Sequence, residues 1–222
     1  MSVAALHDTP VYALLLTTVE AAATLAFALS GLLEAARKRL DAVGVCVVAG
    51  LTAFGGGTLR DVLLDRRPFF WVAHATWLWA VLALCIAAMF VLRARHFEPT
   101  ERAMQWPDAL GLGLFSASGT QLALAQDMPA IVAVLMGVVT AAFGGVLRDI
   151  VVNEIPRAFK DRQPYAVCAF AGGWVVVGAQ AAGIHGGWSL LAGALVGTGL
   201  RAAAMLSGLQ LPRWSTGVEP PG

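Results

Sequence analysis

Charge is what this sequence has least of. Only 13% of its 222 residues are Asp, Glu, Lys or Arg, and 58% are hydrophobic. A typical soluble domain is about 25% charged. The mean hydropathy is +0.72. Such a composition excludes an ordinary soluble domain and points to an integral membrane protein. A net charge of +1 carries no nucleic-acid signature, so no nucleic-acid partner is expected. Cysteine is scarce too. Cys46, Cys85 and Cys168 lie far apart in apolar runs, which excludes a disulfide framework, and there is no CxxC or His/Cys cluster for a metal. No nucleophile–base pair and no cofactor motif is present, so an enzyme is a poor reading and no cofactor is expected. The N-terminus lacks the basic region and small-residue cleavage site of a signal peptide, so the first apolar run should stay as a helix.

Long apolar runs are what the chain has instead. A membrane span needs about 20 largely apolar residues, and seven runs qualify, roughly 11–33, 42–64, 71–92, 107–126, 129–152, 165–183 and 187–206. The fold class expected is an all-α integral membrane protein with seven transmembrane helices, forming one transmembrane domain over 1–222. Loops are short, and the tail "STGVEPPG" is too short and too rich in Pro and Gly to fold. The loops after spans one, three and five carry Arg37, Lys38, Arg39, Arg93, Arg95, Arg102, Arg157, Lys160 and Arg162, and the tail adds Arg213. The opposite side has only Arg66 and Arg67. The positive-inside rule then places the N-terminus outside and the C-terminus in the cytoplasm. Phe69, Phe70, Trp71, Trp106 and Tyr165 fall where aromatic residues mark the membrane interface.

The stretch "TAFGGGTLRDV" at 52–62 has a twin, "TAAFGGVLRDI", at 140–150, at an offset of 88 residues. The same offset aligns Phe27, Ser30, Gly31 and Ala35 with Phe115, Ser118, Gly119 and Ala123, and Pro68 with Pro156. Apolar composition matches Ala and Leu by chance, but not Gly-Gly, Arg-Asp and Pro at one fixed offset. The repeats are 11–92 and 107–183, with 187–206 left as an unpaired seventh helix. Each repeat holds three spans, and an odd number means the second enters the membrane from the other side. Two inverted three-helix repeats are common in transporters, with the solute site near the midplane.

Gly55, Gly56 and Gly57 lie near the centre of span two, and Gly144 and Gly145 near the centre of span five. Glycines weaken a helix by about 1 kcal/mol each relative to alanine, so both helices are expected to kink there. Close packing of small residues is the plainer alternative. Arg60, Asp61, Arg148 and Asp149 follow within the same spans. A charge at the bilayer centre costs at least about 2.5–3.5 kcal/mol, so all four need partners or water. Arg60 and Asp61 are sequence neighbours pointing about 100° apart, which argues for partners on other helices. Glu20, in the middle of span one, is a candidate functional carboxylate or arginine partner. Asp108, beside Pro107, reads as a helix N-terminal charge near water. Ser30, Thr52, Thr140 and Gln121 are individually weak signals, because Ser and Thr often bond back to their own helix. The Gly193/Gly197 pair and the Ala109, Gly113, Ala117 stripe read as interhelical contacts.

The doubled "GG(T/V)LRD" in a three-plus-three-plus-one plan resembles the trimeric intracellular cation channel (TRIC) family, in its prokaryotic branch, over roughly residues 11–206. The resemblance implies a homotrimer in the bacterial inner membrane, surrounded by membrane lipids, with a pore in each subunit conducting potassium or other monovalent cations. It implies that kinked helices two and five line that pore, with Gly55, Gly56, Gly57, Gly144 and Gly145 as kink residues and Arg60, Asp61, Arg148 and Asp149 as pore or gate charges. The second copy departs by having Phe143 where the first has Gly55, which makes Phe143 a candidate steric gate. Fixed arginines repel cations unless neutralised, so Arg60 and Arg148 are expected to be engaged by acids. The alternative is a secondary transporter of a small zwitterion such as glycine, using Arg for the carboxylate and Asp for the ammonium.

Overall fold

Apolar stretches in a membrane must satisfy their own backbone, and the helix does so within one segment. The computed structural model describes residues 10–95, 100–160, 163–184 and 186–212. Every regular element among them is a helix: α1 (Pro10–Arg37), α2 (Ala42–Leu63), α3 (Phe70–Ala73), α4 (Thr76–Arg95), α5 (Glu101–Leu124), α6 (Ala130–Val151), α7 (Arg157–Lys160), α8 (Ala166–Ala181) and α9 (Gly186–Ser207). The long helices fall on the seven apolar runs. Four segments, Val11–Arg37, Ala42–Leu63, Ala130–Val151 and Gly186–Ser207, are long and apolar enough to cross a membrane outright. Thr76–Val91 and Ala166–Ala181 are apolar but shorter. α5 is less apolar because Glu101, Arg102 and Asp108 fall inside it.

Helix boundaries follow local chemistry. Asp41 caps α2 by accepting from the Gly44 amide at 2.7 Å. Thr100 caps α5 by accepting from the Ala103 amide at 3.2 Å, so α5 begins ahead of Pro107 rather than at it. α2 and α6 end alike. Asp65 and Asn153 take positive φ (49° and 59°), the left-handed stop that Asn and Asp tolerate. The amides of Arg66 and Glu154 then close back onto the carbonyls of Asp61 and Asp149, both at 2.8 Å. Arg39 and Asp127 (φ 55° and 56°) end α1 and the α5 region in the same manner. Each of these pairs is separated by 88 positions.

The kinks expected at the glycines do not take the form of a break. α2 is continuous from Ala42 to Leu63 and α6 from Ala130 to Val151. The run expected at 71–92 does divide, into α3 and α4, at His74, whose ring stacks on Trp77 at 4.7 Å. α5 is the central helix and packs on α1, α6, α8 and α9, while α2 packs on α1 and α6. The small-residue stripe serves this packing. A Cβ on Gly113 would collide with Thr198, and one on Gly197 would come within 3.1 Å of the Gly113 Cα. Phe27 and Phe115, again 88 apart, stack at 5.5 Å in the core.

Two of the expected interfacial aromatics point inward. Phe70 is 5% exposed and Tyr165 6%; both are drawn in by buried charges described below. The side chains of Arg93, Arg95 and Lys160, together with Arg162, Arg213 and the "STGVEPPG" tail, lie outside the described residues.

Candidate functional site

The site is built where α2 crosses α6. A Cβ placed on Gly56 would collide with the Thr140 carbonyl, and one on Gly144 with the Thr52 carbonyl. The contact is reciprocal, since Gly56 and Gly144, and Thr52 and Thr140, are each 88 apart. These glycines are bare so that two backbones can touch. Thr52 and Thr140 turn their hydroxyls back to Val48 and Met136 of their own helices, both at 2.6 Å. Gly31 and Gly119 make room for those same threonines. At this pair the glycines serve close packing of the two helices. The other three glycines differ. Gly57 makes space for the Phe70 ring, Gly55 faces Leu147, and Gly145 borders the Tyr165 hydroxyl, Arg148 and Asp108.

Beyond the crossing, in sequence, each helix buries its Arg-Asp pair. Arg60 is 0% exposed. Its Nη1 donates to Glu20 Oε1 at 2.5 Å, and its Nε and Nη2 donate to Asp61 Oδ1 at 2.9 and 2.7 Å. The second Asp61 oxygen accepts from the Phe70 amide at 2.7 Å, and the guanidinium lies 5.3 Å from the Phe70 ring centre. The second cluster has the same plan. Arg148 Nη1 donates to Asp108 Oδ1 at 2.6 Å and to Ser30 Oγ at 2.7 Å, and Nε donates to Asp149 Oδ1 at 2.8 Å. Asp149 Oδ2 accepts from the Arg157 amide at 2.9 Å. Neighbouring Arg and Asp do pair, against the expectation from their 100° separation. The flexible arginine stem lets the guanidinium fork fold back onto the adjacent carboxylate while a second arm reaches another helix.

Asp108 also departs from expectation. It lies two turns inside α5, 5% exposed, and pairs with Arg148 as Glu20 pairs with Arg60. The reason is the earlier start of α5, which carries Asp108 away from the helix end. Each buried guanidinium thus meets two carboxylates, and the first cluster gains a second cation in Arg66. Arg66 approaches Asp61 only at 3.6 Å, with a side chain 37% exposed.

Phe143 is not with these charges. It lines an apolar cleft of about 450 Å³ with Phe54, Gly55, Trp71 and Leu147, and no charged side chain borders that cleft.

Three further polar residues of this region take part beyond what the sequence indicates. Ser30 bridges Arg148 and Asp108, donating to Asp108 Oδ1 at 3.2 Å. Glu34, 1% exposed, holds Arg37 at 2.6 Å and Arg157 at 3.4 Å. Arg201, 3% exposed on α9, lies 5.2 Å from the Tyr165 ring centre and donates to Gln163 at 2.9 Å. An arginine inside an apolar run is a signal for Arg201, and the match of Ser30 to Ser118 is one for Ser30; Glu34 carries none that distinguishes it.

A family model described as glycine transporter matches residues 17–94 and again 105–181, starting points 88 apart. A UPF0126 membrane protein of Vibrio cholerae is 34% identical over 205 residues, 90% of this chain and 83% of that protein. The UPF0126 inner membrane protein YadS of Escherichia coli is 37% identical over 156 residues, 68% of this chain and 72% of that protein. Solved structures are similar throughout their length. One, of the TRIC trimeric intracellular cation channel orthologue from Rhodobacter sphaeroides, superposes with a TM-score of 0.80 at 33% identity, covering 87% of this chain and 98% of that one. Another, of a prokaryotic TRIC channel in 0.5 M KCl, gives 0.82 at 26% identity, covering 90% and 100%.

Proposed function

The chain belongs to the TRIC family, the one whose family model is described as glycine transporter, and from that we propose that it is a cation channel with a potassium-permeable path inside each subunit. The observation that carries this reading is the neutralisation of the two buried arginines. Two carboxylates per arginine, Glu20 and Asp61 with Arg60, Asp108 and Asp149 with Arg148, hold each guanidinium beside the glycine crossing, so neither stands as a fixed charge that repels cations. Carboxylate oxygens beside a path raise the local concentration of cations. The arginines keep those acids oriented. The Gly56–Thr140 and Gly144–Thr52 contact between the clusters is the constriction, and α2 and α6 must part there for an ion to pass.

Residues 1–222 form one transmembrane domain in this reading. Two inverted repeats, 11–92 and 107–183, are followed by a seventh helix at 187–206. The reciprocal crossing supports the inversion, because residue i of one repeat touches residue j of the other and the reverse, as a two-fold axis requires. The basic loops support an N-terminus outside and a C-terminus in the cytoplasm. Trp79, Phe90, Leu195 and Leu206 expose over 70% of their surface, which suits lipid or further copies of the chain in a homotrimer.

The zwitterion-transporter reading draws on the family description. With the Arg-Asp pairs as its site it needs Arg60 or Arg148 free to take a carboxylate, and each is already held by two acids. Purified full-length protein in planar bilayers decides between them. Discrete unitary potassium currents are expected; saturable glycine uptake without unitary current would overturn the channel.

A further inference from the structure

In each half the aspartate of the Arg-Asp pair has two jobs. One oxygen of Asp61 and of Asp149 holds the neighbouring arginine. The other accepts a backbone amide from the segment that follows the helix, Phe70 in one half and Arg157 in the other. Both segments come after the left-handed stops at Asp65 and Asn153 and the matched prolines Pro68 and Pro156. The short helices α3 and α7 are therefore tied to equivalent charge clusters.

The two ends are closed by different chemistry. Gly57 and Gly145 occupy matching positions, 88 apart. The space beside Gly57 is filled by the Phe70 ring, which packs among Phe54, Trp77 and Phe115. Beside Gly145 no ring enters, and its nearest neighbours are the Tyr165 hydroxyl, Arg148 and Asp108. A cavity of about 10 Å³ remains there, and Arg157 and Ala158 of α7 form part of its wall. Ala158 rests on the core around Tyr165 and Cys168. The Arg157 guanidinium reaches Glu34 of α1 at 3.4 Å and Glu101 of α5 at 3.5 Å. Arg37 competes for Glu34, and the Glu101 side chain is 55% exposed.

Moving the aromatic plug forfeits close packing. Ion pairs with an exposed partner are weak and screened by salt. The α7 closure is thus the easier of the two to release. We propose that α7 is a lid over the Arg148 cluster, latched by Arg157 onto Glu34 and Glu101, and that it swings open when those ion pairs break. Its opening bares the cavity and Asp149 to solution. The lid's effect on conduction rests on the channel reading; its movement does not.

Thiol labelling of the full-length protein in nanodiscs tests the movement. Ala142 lines the same cavity. With Cys46, Cys85 and Cys168 replaced by alanine, Ala142→Cys puts one thiol behind the lid. A membrane-impermeant methanethiosulfonate is expected to label it slowly. Arg157→Gln, which keeps the amide that Asp149 accepts, is expected to speed labelling roughly tenfold, the order of one lost charged hydrogen bond. Arg157→Lys, which keeps the charge, should stay slow. High salt should speed labelling with Arg157 present and leave the Arg157→Gln rate unchanged. Equal rates with and without Arg157, a Lys variant as fast as the Gln variant, or salt-independent labelling would each overturn the latch. In planar bilayers Arg157→Gln should raise open probability at unchanged unitary conductance. Faster labelling without potassium current in any variant would keep the lid and sink the channel. Normal currents with unchanged labelling would do the reverse.

Discussion

At the residue scale the decisive feature is the saturation of each buried guanidinium. Arg60 makes three bonds to two carboxylates, and Arg148 three bonds to Asp108, Asp149 and Ser30. Removing one partner leaves the others buried and uncompensated. Arg60→Gln and Arg148→Gln should each lower stability by on the order of 3 kcal/mol, read from thermal unfolding in detergent. Glu20→Gln added to Arg60→Gln should cost less than the two singles together, because they share one interaction. A strictly additive double mutant would show that Glu20 and Arg60 do not act as a pair. Alone, Glu20→Gln removes one of the two acids on Arg60. The reversal potential in a potassium chloride gradient should then shift toward weaker cation preference. An unchanged reversal potential would remove Glu20 as a source of selectivity.

At the scale of elements, α2 and α6 meet backbone to backbone, and the glycines divide sharply by surroundings. Gly56 and Gly144 sit against carbonyls, which cannot yield as a flexible side chain can. Gly56→Ala and Gly144→Ala should each destabilise by about 1–3 kcal/mol through overpacking. Gly50 and Gly178 have nothing near the position a Cβ would take. Alanine there should be neutral or stabilising by up to about 1 kcal/mol, since alanine is the better helix former. Equal effects at all four positions would mean that helix propensity, not the crossing, sets these glycines. Leucine at Gly56 is a poor probe of conduction, because it would drive the helices apart and take the fold with them.

For the whole molecule, the exposed apolar surface and the basic loops frame how the chain sits in a membrane. A C-terminal affinity tag should be protease-accessible in inside-out vesicles and protected in right-side-out ones; the reverse pattern would invert the orientation. The protein mass within the detergent complex should be three times 23.2 kDa. A monomeric mass would leave each subunit as a complete unit and withdraw the trimer. The large exposed side chains of α4 and α9, Trp79, Phe90, Leu195 and Leu206, are candidate contacts for either lipid or a neighbouring copy.

Composition and spacing determined a good deal by themselves. The shortage of charge required a membrane helix fold. The run lengths located the long helices within a few residues. The 88-residue offset exposed the pairing of Gly56 with Gly144 and of Arg60 with Arg148, since a repeated pattern of Gly, Arg, Asp and Pro is visible in one dimension. What the glycines and charges do was decided only in three dimensions. Whether a helical glycine marks a bend or a contact depends on the neighbouring backbone, here Thr140 and Thr52. Whether an arginine is paired depends on which helices bring carboxylates to it, and Glu20 and Asp108 are each 40 residues from their partners. Phe143 stands out by its place in the repeat, while the apolar cleft it shares with Phe54, Trp71 and Leu147 is decided by the fold. Arg201 and Tyr165 meet only because α9 and α8 fold back beside α5, and no periodicity within a single helix encodes that meeting.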